Sequence, residues 1–155
     1  MNFYSELMRL IGALNEADIP YALCGGVAVG LHGFLRATED IDLLVPRDCV
    51  PLVKQVAKQT GFRVQNPNPI VFSAGREDET VVHRVSKFSG KESLVLDLIE
   101  VGGANRFAWK SRRAHSVAGT RVWAIGKNAL IRMKRKAGRP QDLFDIEGLE
   151  GRLES

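Results

Sequence analysis

The chain has 155 residues, of which 45% are hydrophobic and 26% are charged, with a formal net charge of +4. This length suits a single domain over residues 1–155, and the composition excludes the disordered, collagenous and coiled-coil classes. No apolar run approaches the ~20 residues that span a bilayer, and the N-terminus lacks the features of a secretory signal. We therefore expect a cytoplasmic protein with no membrane partner. The two cysteines, Cys24 and Cys49, are too few for a disulfide framework or a four-thiolate zinc site.

Positive charge is concentrated in one segment of the chain. Half of the Lys and Arg residues lie between Arg106 and Arg139, a stretch that contains no Asp or Glu. Such a block can attract the phosphates of a nucleotide or of a nucleic acid. The alternative is a solvated helical face that acidic residues elsewhere balance, and the sequence leaves both interpretations open.

Helices and strands alternate through the N-terminal part of the chain. The hydrophobic periodicity predicts a helix over 2–17, a strand over 21–24, a helix over 27–31, a strand over 41–45 and a helix over 49–60. Gly25-Gly26 is predicted to form a turn between the first strand and the second helix. Pro46 ends the second strand, and Asp48 can cap the helix that follows. This alternation suggests an α/β or α+β fold.

The C-terminal part contributes more strands and then two helices. The predicted elements are strands over 62–64, 70–72, 81–88, 94–101 and 117–125, and helices over 104–113, 127–136 and 141–149. The strand over 94–101 is apolar on both faces, which is typical of a central strand covered on each side. The helices from about residue 127 onward, joined through Gly138-Arg139-Pro140, are expected to belong to the same unit.

Two aspartates at the start of a strand have the pattern of a cation site. In Asp40-Ile41-Asp42 the two carboxylates project from one face of the strand, because alternate side chains point the same way. Asp97 adds a third carboxylate in the middle of the apolar strand over 94–101. Burying its charge is costly unless a metal ion or a base lies beside it. Hard cations such as Mg²⁺ take oxygen ligands, and two of them can share carboxylates in a phosphoryl displacement.

A glycine pair at a strand end is compatible with phosphate binding. Gly25-Gly26 precedes a helix, so backbone N–H groups can approach a phosphate closely, although a plain tight turn has the same pattern. The segment lacks the Gly-x-Gly-x-x-Gly spacing of dinucleotide-binding proteins. Gly126-Lys127 also lacks the upstream glycine of a P-loop. Two common nucleotide-binding motifs are thereby excluded.

Together these residues resemble a known superfamily. The first block comprises Gly25-Gly26, His32-Gly33, Arg36, Thr38, Asp40-Ile41-Asp42-Leu43 and a lone Asp97 on a later apolar strand. It is similar to the nucleotidyltransferases that share the fold of DNA polymerase β. The second block is Leu130-Ile131-x-x-Lys134-x-x-Ala137-Gly138-Arg139-Pro140-x-Asp142-Leu143-x-Asp145-Ile146. It resembles the minimal bacterial branch that includes AbiEii-type toxin nucleotidyltransferases.

The resemblance implies an α+β fold of mixed α/β character. Its central mixed β-sheet carries flanking helices and a short C-terminal helical segment. It also implies that Asp40, Asp42 and Asp97 hold two Mg²⁺ or Mn²⁺ ions, and that Gly25 and Gly26 face the triphosphate of a bound NTP. The implied reaction transfers a nucleoside monophosphate to a hydroxyl group and releases pyrophosphate. Metals and positive charge supply most of the stabilisation in such transfers.

The remaining site residues follow from the same resemblance. Lys134 and Arg139 are candidate donors to the β- and γ-phosphates, and Asp97 is the candidate general base. Asp142 and Asp145 are expected to orient Lys134, Arg139 or the acceptor, the alternative being a surface ion pair.

The loop before the aspartates contributes further candidates. Arg36 and Thr38 are expected either to contact the nucleotide or to fix this loop. Many family members carry Ser where this chain has Gly26, so phosphate binding would depend on backbone amides.

Several functions fit this sequence. The acceptor could be a tRNA, a protein or a small molecule, and the toxin resemblance adds a cognate antitoxin as a candidate partner. The competing interpretations are a catalytically silent nucleotide-sensing module and an RNA-binding module that uses the basic block. Trp109 and Trp123 could stack a base, but core packing is the more frequent role of such residues. The three histidines lie on separate elements, which argues against a histidine metal site.

Overall fold

The computed structural model describes residues 1–152, so the last three residues of the predicted domain lie outside the described part. Six helices and eight strands alternate along the chain. The helices are α1 Phe3–Glu16, α2 Gly25–Leu31, α3 Val50–Gln59, α4 Arg106–Lys110, α5 Lys127–Ala137 and α6 Pro140–Leu149. The strands are β1 Ala22–Cys24, β2 Asp40–Val45, β3 Val64–Gln65, β4 Ile70–Phe72, β5 Thr80–Ser89, β6 Glu92–Glu100, β7 Arg113–Val117 and β8 Thr120–Ala124.

All the strands join one mixed sheet. Its order is β3-β5-β6-β2-β1-β8-β7, and β4 pairs with β5 outside this path. The pairs β2–β6 and β1–β8 are parallel, whereas the other neighbours are antiparallel. The predicted α+β fold with a central mixed sheet is confirmed.

The two faces of the sheet carry separate hydrophobic cores. Helices α1 and α3 cover one face, where Leu10 and Val53 pack against Leu43 and Leu96 of the central strands. Helices α2, α4, α5 and α6 cover the other face, where Leu44 lies among their apolar side chains. Leu43 and Leu44 enter different cores because successive strand residues point to opposite faces. Within residues 1–152, no helix is both long and apolar enough to cross a membrane.

Three local predictions were wrong. The expected single strand over 117–125 is the second half of a hairpin, and the preceding helix is shorter than the predicted 104–113. The hairpin turn is Ala118-Gly119, with φ of 49° and 81°. Positive φ at both positions suits the twist of a two-residue hairpin, but Ala at the first one is not a recognisable turn signal. Gly25-Gly26 begins α2 directly and is not a separate turn.

The connection between α5 and α6 is as tight as the sequence predicts. Gly138 ends α5 in the left-handed conformation with φ 65°, which glycine adopts without steric cost. Pro140 then starts α6, where its missing N–H leaves no helical hydrogen bond unmade. The first turn of α6 is thereby folded back onto the last turn of α5.

Candidate active site

The three predicted carboxylates lie together on the sheet face that carries α5 and α6. Asp40 and Asp42 belong to β2, and Asp97 belongs to β6, which runs parallel beside it. Asp42 and Asp97 are direct partners in the register of these two strands. The same row continues to Cys24 on one side and to Arg84 of β5 on the other. Four side chains from four strands therefore point into the same space.

A cleft of about 540 Å³ covers this row. Its lining includes every predicted site residue except Asp145, namely Gly25, Gly26, Arg36, Thr38, Asp40, Asp42, Asp97, Lys134, Arg139 and Asp142. Asp145 is fully buried and contacts Lys134, a lining residue. Residues from both sequence blocks, far apart in the chain, thus line one cleft. We call Asp40, Asp42, Asp97 and Arg84 the sheet wall. The helix wall comprises Lys134, Arg139, Asp142 and Asp145 from α5, α6 and their connection, together with Arg36, which is paired with Asp145.

Asp42 has a perturbed acidity in the sheet wall. Burial and then the nearby charges of Asp97 and Asp40 together raise its pKa to about 6. Lys134 and Arg139 oppose this effect from the other wall. A carboxylate that resists ionisation beside two others is stabilised strongly by a bound cation.

Asp97 already has a cationic partner, which the sequence reasoning missed. Arg84 donates from Nε to Oδ1 of Asp97 at 2.8 Å and from Nη2 to Oδ2 at 2.9 Å. Counting back from the Gly90-Lys91 turn of the β5–β6 hairpin places Arg84 opposite Asp97. That register was the signal in the sequence that could have identified this residue. The buried aspartate has the neighbouring base that its position demanded.

The donor set suits a hard divalent cation. Three carboxylates supply only oxygen ligands, which Mg²⁺ and Mn²⁺ prefer, and their mutual repulsion is what such an ion would relieve. Among residues 1–152, however, no three His, Cys, Asp or Glu side chains already converge as a cation cage. Arg84 occupies both oxygens of Asp97. The residues therefore fit a metal, provided that this pair opens.

The helix wall holds a compact ion-pair network. Lys134 is 7% exposed, and its Nζ lies 2.9 Å from Asp145 and 3.4 Å from Asp142. Arg36 donates to both oxygens of Asp145 at 2.6 and 2.9 Å. Because Asp142 and Asp145 are both buried, they do not form a surface ion pair. They pair with the lysine and with both arginines of the helix wall.

Arg139 is the exposed cation of this wall. Its Nε donates to Asp142 at 2.7 Å, and its backbone N–H donates to the same carboxylate at 3.1 Å. Its Nη2 also donates to Asp142, at 3.3 Å, and the side chain is nevertheless 75% exposed at the cleft. Favourable pairing with Arg139 and Lys134 outweighs burial and lowers the pKa of Asp142.

The two glycines lie close to charged residues of both walls: Gly25 to Asp42 of the sheet wall and Gly26 to Arg36 of the helix wall. A side chain at Gly25, where φ is 64°, would overlap the carboxylate of Asp42. A Cβ at Gly26 would lie 2.6 Å from Oγ1 of Thr38 and 3.0 Å from Nη2 of Arg36. The hydroxyl of Thr38 thus takes the space that a serine at position 26 would need. Arg36 and Thr38 fix the loop before β2 against the start of α2.

Two arginines of the basic block interact with the protein's own aromatic rings. The guanidinium of Arg112 lies 4.0 Å from the ring centre of Trp109 and 5.4 Å from that of Trp123. Arg132 lies 3.8 Å from the ring of Phe107. Both tryptophans are partly buried against the two cores. Only Lys134 and Arg139 of this block line the cleft.

No known protein-family profile matches the chain, and no curated protein matches it in sequence. Several solved structures match its fold. The lincomycin-bound lincosamide antibiotic adenylyltransferase LnuA is 16% identical, with a TM-score of 0.63 over 94% of this chain and 95% of its own. The structure of ANT(2")-Ia in complex with adenylyl-2"-tobramycin is 17% identical, with a TM-score of 0.60 over 97% of this chain and 88% of that one.

A third match is an antigenic nucleotidyltransferase-like protein from Paracoccidioides brasiliensis, which is 19% identical with a TM-score of 0.57. It covers 93% of this chain and 74% of its own. Identities this low establish shared architecture only. The chain therefore has the nucleotidyltransferase fold, and its charged cleft lies between the sheet and the C-terminal helices of that fold.

Proposed function

We propose that this protein is a metal-dependent nucleotidyltransferase that transfers a nucleoside monophosphate from an NTP to a hydroxyl group and releases pyrophosphate. The observation that supports this most directly is the pairing of the two walls. Three carboxylates on adjacent parallel strands face three cationic side chains across one cleft. An acidic wall suits divalent cations and a cationic wall suits phosphates, so the cleft can accommodate both components of a metal–triphosphate complex.

Each wall has a distinct role in this reaction. Asp40, Asp42 and Asp97 would hold the two Mg²⁺ or Mn²⁺ ions, which neutralise charge on the phosphoryl oxygens when bound. Gly25 and Gly26 offer backbone amides near the phosphates. Arg139 and Lys134 place positive charge beside the pyrophosphate that leaves. Asp97 accepts the proton of the acceptor hydroxyl as general base.

We propose a small organic molecule as the acceptor. A groove of about 400 Å³ between the β4–β5 connection and α4–α5 is lined by Phe72, Ile99, Phe107 and Met133. A smaller space of about 170 Å³ has Ile99 and Met133 in its lining together with Asp42 and Lys134. The groove and the cleft therefore lie on either side of shared lining residues, and the volume of the groove is that of an ordinary small-molecule site.

Two of the structural matches act on, or were solved with, such molecules. LnuA is a lincosamide adenylyltransferase, and ANT(2")-Ia was solved with an adenylylated tobramycin. A tRNA or protein acceptor is the alternative outcome of the test below. If the acceptor is a tRNA or a protein of the cell, the enzyme could act as a toxin with a cognate antitoxin. This toxin role is supported by the C-terminal motif alone.

One observation favours a second function, a catalytically silent nucleotide sensor on the same fold. Asp97, the proposed base, is held by Arg84 through both of its oxygens. A protein that never opened this pair would bind nucleotide through the helix wall without transferring it. The RNA-binding alternative has weaker support, because Arg112 and Arg132 of the basic block are stacked on Trp109 and Phe107.

The proposal is tested by label transfer from each α-labelled NTP with Mg²⁺ or Mn²⁺. The acceptors are a cell extract separated into RNA, protein and small-molecule fractions. Asp42→Asn removes a predicted ligand with little change of shape, and Asp48→Asn is its control because Asp48 is exposed and lies outside the cleft. We expect label in the small-molecule fraction with the wild type and the control only. Absence of transfer, combined with stabilisation by NTP and metal in a thermal shift, would establish the sensor instead.

A further inference from the structure

Asp97 lies where a metal ion and an arginine compete for the same two oxygens. Its side chain is 11% exposed, and both oxygens accept hydrogen bonds from the guanidinium of Arg84. Bidentate pairs of this kind are directional and charge-assisted. A cation coordinated by Asp97 needs at least one of the lone pairs that Arg84 now uses.

Arg84 differs from the other cations of the cleft in two respects. It belongs to the sheet wall, opposite Asp97 in the antiparallel β5–β6 pair, whereas Lys134 and Arg139 approach from the helices. Its side chain is also 39% exposed, so the guanidinium can leave the carboxylate without being stranded in an apolar environment. Lys134, at 7% exposure, has no such freedom.

The charge around Arg84 fits that of a temporary counter-ion. Its guanidinium bonds to both oxygens of Asp97 and lines the same cleft as Asp40 and Asp42. It therefore adds positive charge beside the same three carboxylates that a divalent cation would compensate. Within residues 1–152, Asp42 has no hydrogen-bonded cationic partner of its own.

We infer that Arg84 is the place-holder for the metal: it neutralises Asp97 when no metal is bound and is displaced when a divalent cation binds. The inference rests on the proposed function, because it takes Asp97 as a metal ligand. Arg84 is thus a positioning residue that acts through Asp97. Binding of the metal is thus coupled to release of Arg84. Asp97 can serve as metal ligand and general base only after Arg84 has left it.

The test measures Mn²⁺ binding to the nucleotide-free protein by the electron paramagnetic resonance of free Mn²⁺. Arg84→Gln removes the competitor, and Arg84→Lys keeps the charge but cannot hold both oxygens at once. We expect Arg84→Gln to bind Mn²⁺ about tenfold more tightly than the wild type, and Arg84→Lys to lie between them. The matched control is Arg47→Lys, the same exchange at an exposed arginine that lies 3.8 Å from Glu100 and does not line the cleft, which should leave Mn²⁺ affinity unchanged.

A double-mutant cycle identifies Asp97 as the shared partner. In an Asp97→Asn background, the gain from Arg84→Gln should disappear, since no carboxylate remains to compete for. Urea unfolding without metal shows whether each variant is folded, and Arg84→Lys serves if Arg84→Gln is not.

Equal Mn²⁺ affinity in the wild type and both Arg84 variants, or a gain that persists without Asp97, would refute the place-holder role and leave the proposed function intact. If neither the wild type nor the Arg84 variants bind Mn²⁺, both proposals are wrong.

Discussion

The two walls of the cleft contain buried aspartates in opposite electrostatic states. On the sheet wall, the pKa of Asp42 is raised to about 6, because burial and two neighbouring carboxylates oppose its charge. On the helix wall, the pKa of Asp145 is lowered, because Arg36, Lys134 and Gln141 donate to it and together outweigh its burial. The helix wall is a completed network that stabilises the fold. The sheet wall has three carboxylates and one arginine, an excess of negative charge that a bound cation would compensate.

The largest expected effect concerns activity and tests the sheet wall. Replacing Asp42 by Asn removes a proposed metal ligand while preserving the side-chain shape, so we expect transfer to fall by about 10³-fold or more. Asp145→Asn leaves the sheet wall intact, so the folded molecules of that variant should still transfer the nucleoside monophosphate. Steady-state rates per folded molecule distinguish the two walls. Equal losses in both variants would contradict the assignment of chemistry to the sheet wall.

The next effect concerns stability and tests the helix wall. Asp145→Asn leaves Arg36 and buried Lys134 without their shared carboxylate. Losing one partner of a buried ion pair typically costs about 3 kcal/mol of unfolding free energy. We expect a loss of this size in urea unfolding at pH 7.5. Because the folded-state pKa of Asp145 is lowered, the stabilisation it provides is present above the unfolded value and is lost as the pH falls. A loss that is equally large at pH 3 would contradict the ion-pair explanation.

An Asp→Asn substitution in the sheet wall should raise the free energy of unfolding, whereas the same substitution in the helix wall lowers it. The raised pKa of Asp42 means that its ionisation destabilises the metal-free protein, and this penalty grows as the pH rises from the unfolded value to about 6. Asp42→Asn should therefore stabilise the metal-free protein by about 2 kcal/mol at pH 7.5. At pH 4 the difference should nearly vanish. Urea unfolding at both pH values, with a chelator present, measures it, and destabilisation at pH 7.5 would show that Asp42 has a cationic partner after all.

The smallest expected effect tests the contact between the walls at the start of α2. Gly26→Ser places a Cβ 2.6 Å from Oγ1 of Thr38, and overpacking of this kind costs about 1 kcal/mol or more. Thr38→Ala removes the hydroxyl that causes the overlap. The double variant should therefore be more stable than Gly26→Ser alone. Additive losses in the two single variants would indicate that the serine finds space elsewhere.

Much of this protein was predictable from local pattern. Hydrophobic periodicity identified α1, α3 and the central strand β6, and the Gly138-Arg139-Pro140 signal located the α5–α6 connection. The two carboxylates of β2 were predictable as neighbours, because alternation along a strand is a local property. The Ala118-Gly119 hairpin was not, since an alanine with positive φ is imposed by the pairing of β7 and β8.

What the tertiary structure alone decided is the electrostatic state of each charged residue. An aspartate in the sequence has the same ordinary pKa wherever it stands, and its state in the fold depends on burial and on neighbours contributed by distant segments. Asp42 meets Asp97, and Asp145 meets Arg36, across separations of many residues. The amino-acid sequence thus determined which elements form and which residues can ionise. Only the packing of the sheet against α5 and α6 decided which carboxylates are satisfied and which still need a cation.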